Sequence, residues 1–535
     1  MGSTIEHAFT VYRGTFIESA LPEPGSKPKL SRKQGALWVS AADGRIKGWD
    51  WKAHDENGFA ELMNRNGWFD IDTGDVPGQA DGYTSRIGVK VVAANEELNE
   101  FFFPGFIDTH IHAPQYPNAG LFGSSTLLDW LDTYTFPVES GFGTLPDPKT
   151  GHQTTTNPKD TPLHAQQIYA QVIARTLSHG TTCASYFATI HIPATNALAS
   201  LCHMRGQRAF IGRVCMDNPA FCPDYYRDHS ATDSTTATRQ TIEYIHALDP
   251  KGKLVKPIVT PRFAPSCSKS ALQSLSDLAA AYTPPLHIQT HISENTNEVE
   301  LVKEVFPEAG SYAGVYEMYG LLTPRTILAH AVHLSAEERT LIRARDAKVS
   351  HCPASNSALG SGICPVRTLL DEGITVGLGT DVSGGYSPSI LEAVRQACLA
   401  SRLLGHTAAW QRENANGEDG GVGREKLSVA ESLYLATRGG AAVVDMAGDL
   451  GGFEVGMLWD VQLVQLGGNK GVEGSPLDGG SGDGKVNHLR AGPVGNVELF
   501  GKESWEEKIE KWVWNGDDRN VKAVWVGGRL VHTRG

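Results

Sequence analysis

The chain has 535 residues, of which 40% are hydrophobic, and it carries a formal net charge of −13. A chain of this length can bury a large core and a second, smaller one, and because it has no apolar run of about 18 residues we expect no membrane as a partner. Its 47 Lys and Arg residues form no basic run, so we also expect no nucleic acid partner.

The start of the chain and its cysteines predict a compartment. Residues 1–10 lack the basic and apolar regions of a secretory signal. The eight cysteines are scattered and form no C-x-x-C pair, which is typical of free thiols in a reducing compartment. We therefore predict a cytoplasmic protein.

The two ends of the chain both predict β-structure. Residues Ala36–Ser40 and Arg45–Trp49 read as strands, and Asp43-Gly44 between them is typical of a hairpin turn. Near the other end, the predicted strands are Val461–Leu466, Val521–Val526 and Arg529–Thr533. We predict a small β-sandwich domain formed from both termini, residues 1–100 and 447–535.

The middle of the chain alternates short β-branched runs with segments of helical periodicity. The eight runs predicted as strands are Phe101–Thr109, Thr181–Phe187, Arg208–Val214, Leu254–Pro261, Leu286–His291, Thr326–His330, Ala347–His351 and Ile374–Thr380. The intervening segments carry helix signals, such as the capping-box pairs Ser335 with Glu338 and Ser428 with Glu431.

This alternation predicts an α/β fold, a (β/α)₈ TIM-type barrel over residues 101–446. A doubly wound open sheet would give a similar alternation. Three segments rich in Gly, Thr, Asn and Asp are predicted to be surface insertions: Gly141–Pro162, Gln411–Gly423 and Gly467–Gly495.

The first barrel strand predicts half of a metal site. It ends in Asp108-Thr109-His110-Ile111-His112, and in an extended backbone residues two apart point to the same side. His110 and His112 would therefore converge at the carboxyl end of a barrel strand, where such folds gather their active sites. A chance H-x-H in a loop is the alternative for this motif taken alone.

Other predicted strand ends complete the set. His291 ends the fifth run, His330 ends the sixth, and Asp381 follows the eighth. Imidazoles combined with one carboxylate favour zinc over iron or manganese. Glu294 follows His291 by three residues, where a carboxylate can take a proton from water; the alternative is an acid that only stabilises a helix N-terminus.

Several motifs carry a resemblance to a known family. Pro104-Gly105-Phe106-Ile107 followed by Asp108–His112 resembles the first-strand signature of the amidohydrolase superfamily. The continuation Ala113-Pro114-Gln115-Tyr116 is similar to that of eukaryotic-type guanine deaminases, as are Thr260-Pro261-Arg262-Phe263, His291-Ile292-Ser293-Glu294-Asn295 and Gly379-Thr380-Asp381-Val382. Pro114, and Ala331-Val332 after His330, depart from the family pattern without removing a functional side chain.

The resemblance implies a function and a set of roles. It implies hydrolytic deamination of guanine to xanthine and ammonia in purine catabolism, one zinc ion per chain, and a homodimer. The residues implied as zinc ligands are His110, His112, His291 and Asp381, with His330 as a further ligand or as a partner of the zinc-bound water. Glu294 is implied as the proton shuttle, and Gln115, Arg262 and Phe263 as contacts of the purine.

Arg262 favours guanine over adenine on chemical grounds. Its guanidinium can only donate hydrogen bonds, and the O6 and N7 edge of guanine offers two acceptors, whereas adenine has a donor at position six. A structural ion pair is the alternative role for this arginine.

Three other functions remain open from the sequence. The first is another mononuclear deaminase of the same superfamily, acting on adenine, cytosine, a nucleoside or a triazine. The second is a two-metal cyclic-amide hydrolase with a carboxylated lysine. The fourth predicted strand argues against this function, because Arg262 stands at its carboxyl end and its lysine, Lys256, lies toward the opposite end. The third is a metal-free scaffold protein.

Overall fold

The computed structural model describes residues 7–23, 25–73, 87–123, 126–143, 156–413, 423–468 and 496–534. The chain divides into two compact units, Met1–Gly105 with Gly448–Gly535, and Phe106–Ala447. The greater part of each of the three predicted insertions lies outside the described residues.

The strands in the described part of the chain are β1 (Phe9–Ala20), β2 (Lys29–Ser40), β3 (Ile46–Asp50), β4 (Trp68–Asp70), β5 (Ile87–Ala93), β6 (Glu100–Pro104), β7 (Phe106–His112), β8 (Thr181–Phe187), β9 (Arg208–Gly212), β10 (Val214–Cys215), β11 (Val255–Pro261), β12 (His287–Ile292), β13 (Thr326–His330), β14 (Lys348–His351), β15 (Val376–Leu378), β16 (Val461–Gln465), β17 (Val521–Val526) and β18 (Arg529–Thr533).

The α-helices in the same ranges are α1 (Glu56–Arg65), α2 (Leu127–Trp130), α3 (Phe136–Ser140), α4 (Leu163–Ser178), α5 (Ile192–Arg205), α6 (Ala231–Leu248), α7 (Lys269–Ala280), α8 (Thr296–Val305), α9 (Tyr312–Met318), α10 (Ala336–Ala344), α11 (Pro353–Ala358), α12 (Val366–Asp371), α13 (Ile390–Leu404), α14 (Ala408–Glu413), α15 (Val429–Tyr434), α16 (Gly440–Val443) and α17 (Trp505–Asn515). None of the helices in the described ranges combines the length and the apolar composition that a membrane crossing requires.

The terminal unit is a mixed sheet built by both ends of the chain. Its main strand order is β18-β17-β16-β6-β1-β2-β3, and β5 joins β1 to β4. The predicted hairpins are confirmed, because β2 pairs antiparallel with β3 and β17 with β18. An aromatic core fills one face, where the rings of Tyr12 and Trp459 lie 4.1 Å apart between centroids.

One strand prediction is wrong in its extent. The run Phe101–Thr109 divides at Gly105, so that β6 pairs with β16 in the terminal sheet while β7 belongs to the barrel. Both halves are apolar and buried, so hydrophobicity alone does not mark the break. The chain therefore passes from one unit to the other a few residues before the H-x-H motif.

The second unit is a parallel barrel, which confirms the predicted fold class. Its strand order is β15-β14-β13-β12-β11-β9-β8-β7, with β10 beside β11. Backbone bonds connect the first strand to the segment after the last one: the amide of Asp381 donates to the His110 carbonyl at 2.8 Å, and that of His112 to the Val382 carbonyl at 3.1 Å. The carboxyl ends of the strands thus meet around one point.

Candidate active site

Five side chains from the strand ends form one group, four of them buried and His291 partly buried, here named the strand-end cluster. Its members are His110, His112, His291, His330 and Asp381. Nε2 of His110 lies 3.2 Å, and Nε2 of His112 lies 3.5 Å, from Oδ1 of Asp381. The Nε2 atoms of His112 and His291 are 3.2 Å apart. The alternation of β7 explains why its two histidines share a side.

Hydrogen bonds on the outer side of two imidazoles orient them. Nδ1 of His291 lies 2.5 Å from the carbonyl oxygen of Arg262, and Nδ1 of His330 lies 2.9 Å from Oδ1 of Asn356. A carbonyl oxygen only accepts, so each Nδ1 carries the proton and each Nε2 presents a lone pair to the cluster. Such outer partners are common among metal-binding histidines.

The electrostatics of the cluster suit metal binding. Burial lowers the pKa of His110, and it lowers the pKa values of His112 and His291 well below the usual value, so these imidazoles are neutral near pH 7. Burial opposes the charge of Asp381, but the neighbouring imidazoles of His110, His330 and His112 hold the pKa of that carboxyl below its usual value. The result is three neutral imidazoles and one carboxylate. Burial opposes the charge of the fourth imidazole, His330, but the carboxylates of Glu294 and Asp381 raise its pKa above the usual value.

Unpaired buried atoms indicate what this set can hold. Nε2 of His110 and Nε2 of His330 are buried and have no hydrogen-bond partner among the described residues. The ligand atoms of His110, His112 and Asp381 lie within 4.8 Å of one another, as do those of His110, His291 and His330. Imidazole nitrogens and one carboxylate oxygen that face a common point are the ligands that a divalent metal ion such as zinc prefers.

Glu294 lies beside the cluster. Its Oε2 is 3.4 Å from Nε2 of His330, and its Oε1 accepts a hydrogen bond of 3.2 Å from the hydroxyl of Ser361. The carboxylate of Glu298 accepts from the Glu294 amide at 2.9 Å, which fixes the loop at the helix start. Burial raises the pKa of Glu294 to about 7, so both protonation states are accessible near neutral pH, as proton transfer requires.

The predicted substrate contacts line one cavity together with four members of the cluster, His112, His291, His330 and Asp381. Gln115 lies on the turn after β7, and Arg262 and Phe263 follow the end of β11. The remaining walls are largely apolar, with the lining residues Leu127, Trp130, Leu131 and Leu359. The structure therefore brings together every side chain that the sequence assigned to the site.

The sequence analysis missed Glu139, which lies on α3. This fully buried carboxylate accepts hydrogen bonds from Arg262 at 2.7 and 3.1 Å and from the Gln115 amide at 2.7 Å. The hydroxyl of Tyr226 donates to the same carboxylate at 2.6 Å. The available signal was an acidic residue that continues the buried side of a helical segment, eight positions after Leu131 and just before the predicted insertion. We name Gln115, Glu139 and Arg262 the base-edge group.

Comparison with known proteins agrees with the fold and with this site. A sequence model described as Amidohydrolase family matches residues 101–531. This range covers most of the chain and includes the strand-end cluster, Glu294 and the base-edge group. The chain belongs to the amidohydrolase family.

Individual relatives define its place within the family. The chain is 48% identical over 432 residues to a probable guanine deaminase of Schizosaccharomyces pombe, an alignment that covers 81% of this chain and 71% of that protein. It is 39% identical over 433 residues to the guanine deaminase of Homo sapiens, covering 81% and 83%. Within the amidohydrolases, the chain belongs to the guanine deaminases.

A solved guanine deaminase structure is similar to this chain over almost its whole length. The crystal structure of guanine deaminase from C. acetobutylicum with bound guanine in the active site has a TM-score of 0.72 to this chain at 27% sequence identity. The superposition covers 98% of this chain and 100% of that one.

Proposed function

We propose that this protein deaminates guanine hydrolytically, so that guanine and water give xanthine and ammonia. The observation that carries the proposal is a single cavity lined by a metal-type donor set, an acid of pKa about 7 and an arginine. The printed names of relatives at 39–48% identity support the same substrate.

One zinc ion per chain is the proposed cofactor. His110, His112, His291 and Asp381 would hold it, with His330 as a fifth ligand or as a partner of the reacting water; the unpaired Nε2 atoms of His110 and His330 fit this assignment. Zinc bound there supplies Lewis-acid chemistry, since it lowers the pKa of a coordinated water from about 16 to about 7.

Glu294 is the proposed proton shuttle. Its carboxylate takes a proton from the water that adds to C2 of guanine, and it returns protons to the ring nitrogen and to the departing amine. Its pKa of about 7 suits both directions of transfer. The hydroxyl of Ser361, which donates to Oε1, leaves Oε2 directed at His330 and the cavity.

Gln115, Arg262 and Phe263 are the proposed contacts of the base. Arg262 has five N–H donors and gives two of them to Glu139, which leaves three for other acceptors. The O6 and N7 atoms of guanine are such acceptors, whereas the amino group of adenine would face the guanidinium donor to donor. Phe263 supplies an apolar wall next to this edge.

A direct assay tests the proposal. Guanine loss, followed by ultraviolet absorbance together with ammonia release, should be rapid and should stop after treatment with a chelator and return with added zinc. Adenine, cytosine, nucleosides and triazines in the same assay should release little ammonia. Turnover of another base in preference to guanine would contradict the substrate assignment, and full activity after metal removal would contradict the cofactor.

Two further assignments complete the proposal. We expect the protein to act in the cytoplasm, as the scattered cysteines indicate, and to form a homodimer, as the resemblance to guanine deaminases implies. Cell fractionation tests the first expectation. Light scattering of the purified chain, whose monomer mass is 57.7 kDa, tests the second.

A further inference from the structure

Glu139 occupies a position that the proposed reaction does not explain. It is fully buried, it does not belong to the described residues that line the cavity, and its carboxylate joins groups from separate parts of the barrel. Gln115 comes from the turn after β7, Arg262 from the end of β11, and Tyr226 from the segment between β10 and α6. Two of these three partners line the cavity.

The carboxylate compensates the only arginine among the described cavity-lining residues. Both oxygens of Glu139 accept from Arg262, a bidentate pair of the strong, charge-assisted type. Arg262 is itself buried, and the ring of Phe136 lies 5.3 Å from its guanidinium carbon. The pair therefore presents N–H donors to the cavity without a net charge.

The same carboxylate sets the orientation of Gln115. A carboxylate only accepts, so the amide nitrogen of Gln115 faces Glu139, and the amide oxygen faces the backbone N–H of Ser383 at 3.3 Å. The second amide hydrogen is left for another acceptor. Glu139 therefore orients both Gln115 and Arg262 at this edge, through hydrogen bonds of 2.7 to 3.1 Å.

We propose that Glu139 is a positioning residue for base selection: it fixes Gln115 and Arg262 and cancels the arginine charge, so that the cavity accepts neutral purine bases and rejects anionic ones. This inference rests on the proposed function, since it assumes that a purine occupies the cavity. A buried ion pair is rarely the most stabilising way to fill such a space, which argues for a role beyond stability.

Two purine analogues test the proposal by the sign of an effect. Purine-6-carboxylate and purine-6-carboxamide have similar shapes, differ in charge, and lack the 2-amino group, so neither can be deaminated. We expect the wild-type protein to prefer the carboxamide. In Glu139→Gln the charge of Arg262 is no longer cancelled. Purine-6-carboxylate should therefore bind this variant more tightly than it binds the wild-type protein, whereas purine-6-carboxamide should bind no better. The ratio of the two inhibition constants should change by about tenfold or more.

Kinetics with guanine provide a second readout. Glu139→Gln should raise KM for guanine more than it lowers kcat, because Glu139 acts on binding groups and not on the reacting atoms. The proposal would be overturned if Glu139→Gln bound both analogues more weakly by the same factor, or if purine-6-carboxylate showed no measurable binding to it. Glu139 would then have a structural role only.

The barrel offers a matched control. Asp228 pairs with Arg213 through both carboxylate oxygens, and both residues are buried, but neither lines the cavity. Asp228→Asn also leaves a buried arginine without its carboxylate, so it should lower stability without changing the ratio of the inhibition constants. If Asp228→Asn also changed the ratio of the inhibition constants, any buried arginine that has lost its carboxylate would have this effect, and the proposal would be contradicted.

A second variant covers a failure of Glu139→Gln to fold. Glu139→Asp keeps the charge but shortens the side chain, so it should raise KM for guanine and leave the ratio for the two analogues at its wild-type value. A shifted ratio in Glu139→Asp would overturn the charge argument. Turnover of guanine by the wild-type protein, measured in the same preparations, tests the proposed function separately, because the ratio comes from binding alone.

Discussion

The strand-end cluster and the base-edge group both contribute residues to one cavity, but the two groups are fixed in different ways. The five residues of the cluster come from the ends of parallel strands or, for Asp381, from just after one, so the barrel itself brings them together. The base-edge group depends on Glu139, which a short helix after β7 places against Arg262 and Gln115. The comparison indicates that reaction chemistry is set by the barrel strands and base selection by the packing of the connections.

The largest effect is expected from Glu294→Gln, which leaves both regions in place and removes only the shuttle. Turnover should fall by about 10²–10⁴-fold while zinc content and guanine binding stay near wild-type values. Stopped assays of ammonia release and metal analysis measure the two quantities. The control is Glu300→Gln, the same change on the exposed side of α8. Substantial residual turnover in Glu294→Gln would remove Glu294 from the mechanism.

Arg262→Ala should break the base-edge group without affecting the cluster. The loss of charge-assisted bonds to the base should raise KM for guanine and lower kcat/KM by about 10²-fold, with zinc content unchanged. Steady-state kinetics and metal analysis check this prediction. Arg345, which pairs with Glu317 on the surface, provides the control as Arg345→Ala. Unchanged guanine kinetics in Arg262→Ala would contradict the account of base selection.

Asn356→Ala should weaken the cluster from outside. Without the acceptor on Nδ1, His330 is no longer held with its Nε2 lone pair toward the site, and loss of such a partner costs about tenfold or more in metal affinity or activity. Zinc competition with a chelator and kcat for guanine report the two effects. Ser357→Ala on the same helix, whose hydroxyl donates to the Pro353 carbonyl, should change neither quantity. Equal behaviour of the two variants would argue against an orienting role for Asn356.

Ser335→Ala should affect neither region and is expected to have the smallest effect. Ser335 and Glu338 form a capping box at the start of α10, and loss of such a cap lowers the free energy of unfolding by about 0.5–2 kcal/mol. Chemical denaturation measures the change, with Thr340→Ala on the exposed side of the same helix as the control. A large loss of kcat/KM in Ser335→Ala would show that the site is less independent of this helix than its contacts indicate.

The sequence predicted the barrel and the cluster because both follow from local patterns. Strand alternation places His110 and His112 on one side, and hydrophobic runs mark the strands whose ends carry His291 and His330. The residues that a resemblance added, among them Gln115, also lie next to a strand end. The capping boxes at Ser335 and Ser428 were likewise readable from spacing and are confirmed.

Features that depend on tertiary packing escaped prediction. The break between β6 and β7 at Gly105 is invisible in an apolar run whose two halves join different sheets. The long strand β1, Phe9–Ala20, was not predicted from the sequence. The role of Glu139 depends on partners at Gln115 and Arg262, which are distant along the chain from it and from each other.

Zinc content of the double variant His110→Ala/His112→Ala tests the central claim most directly. Both side chains come from β7 and supply two of the proposed ligands, so removing them should reduce bound zinc from about one ion per chain to almost none and abolish guanine deamination, with the circular dichroism spectrum preserved. A folded double variant that binds as much zinc as the wild-type protein, or that still deaminates guanine, would contradict the claim that the strand ends form the metal site.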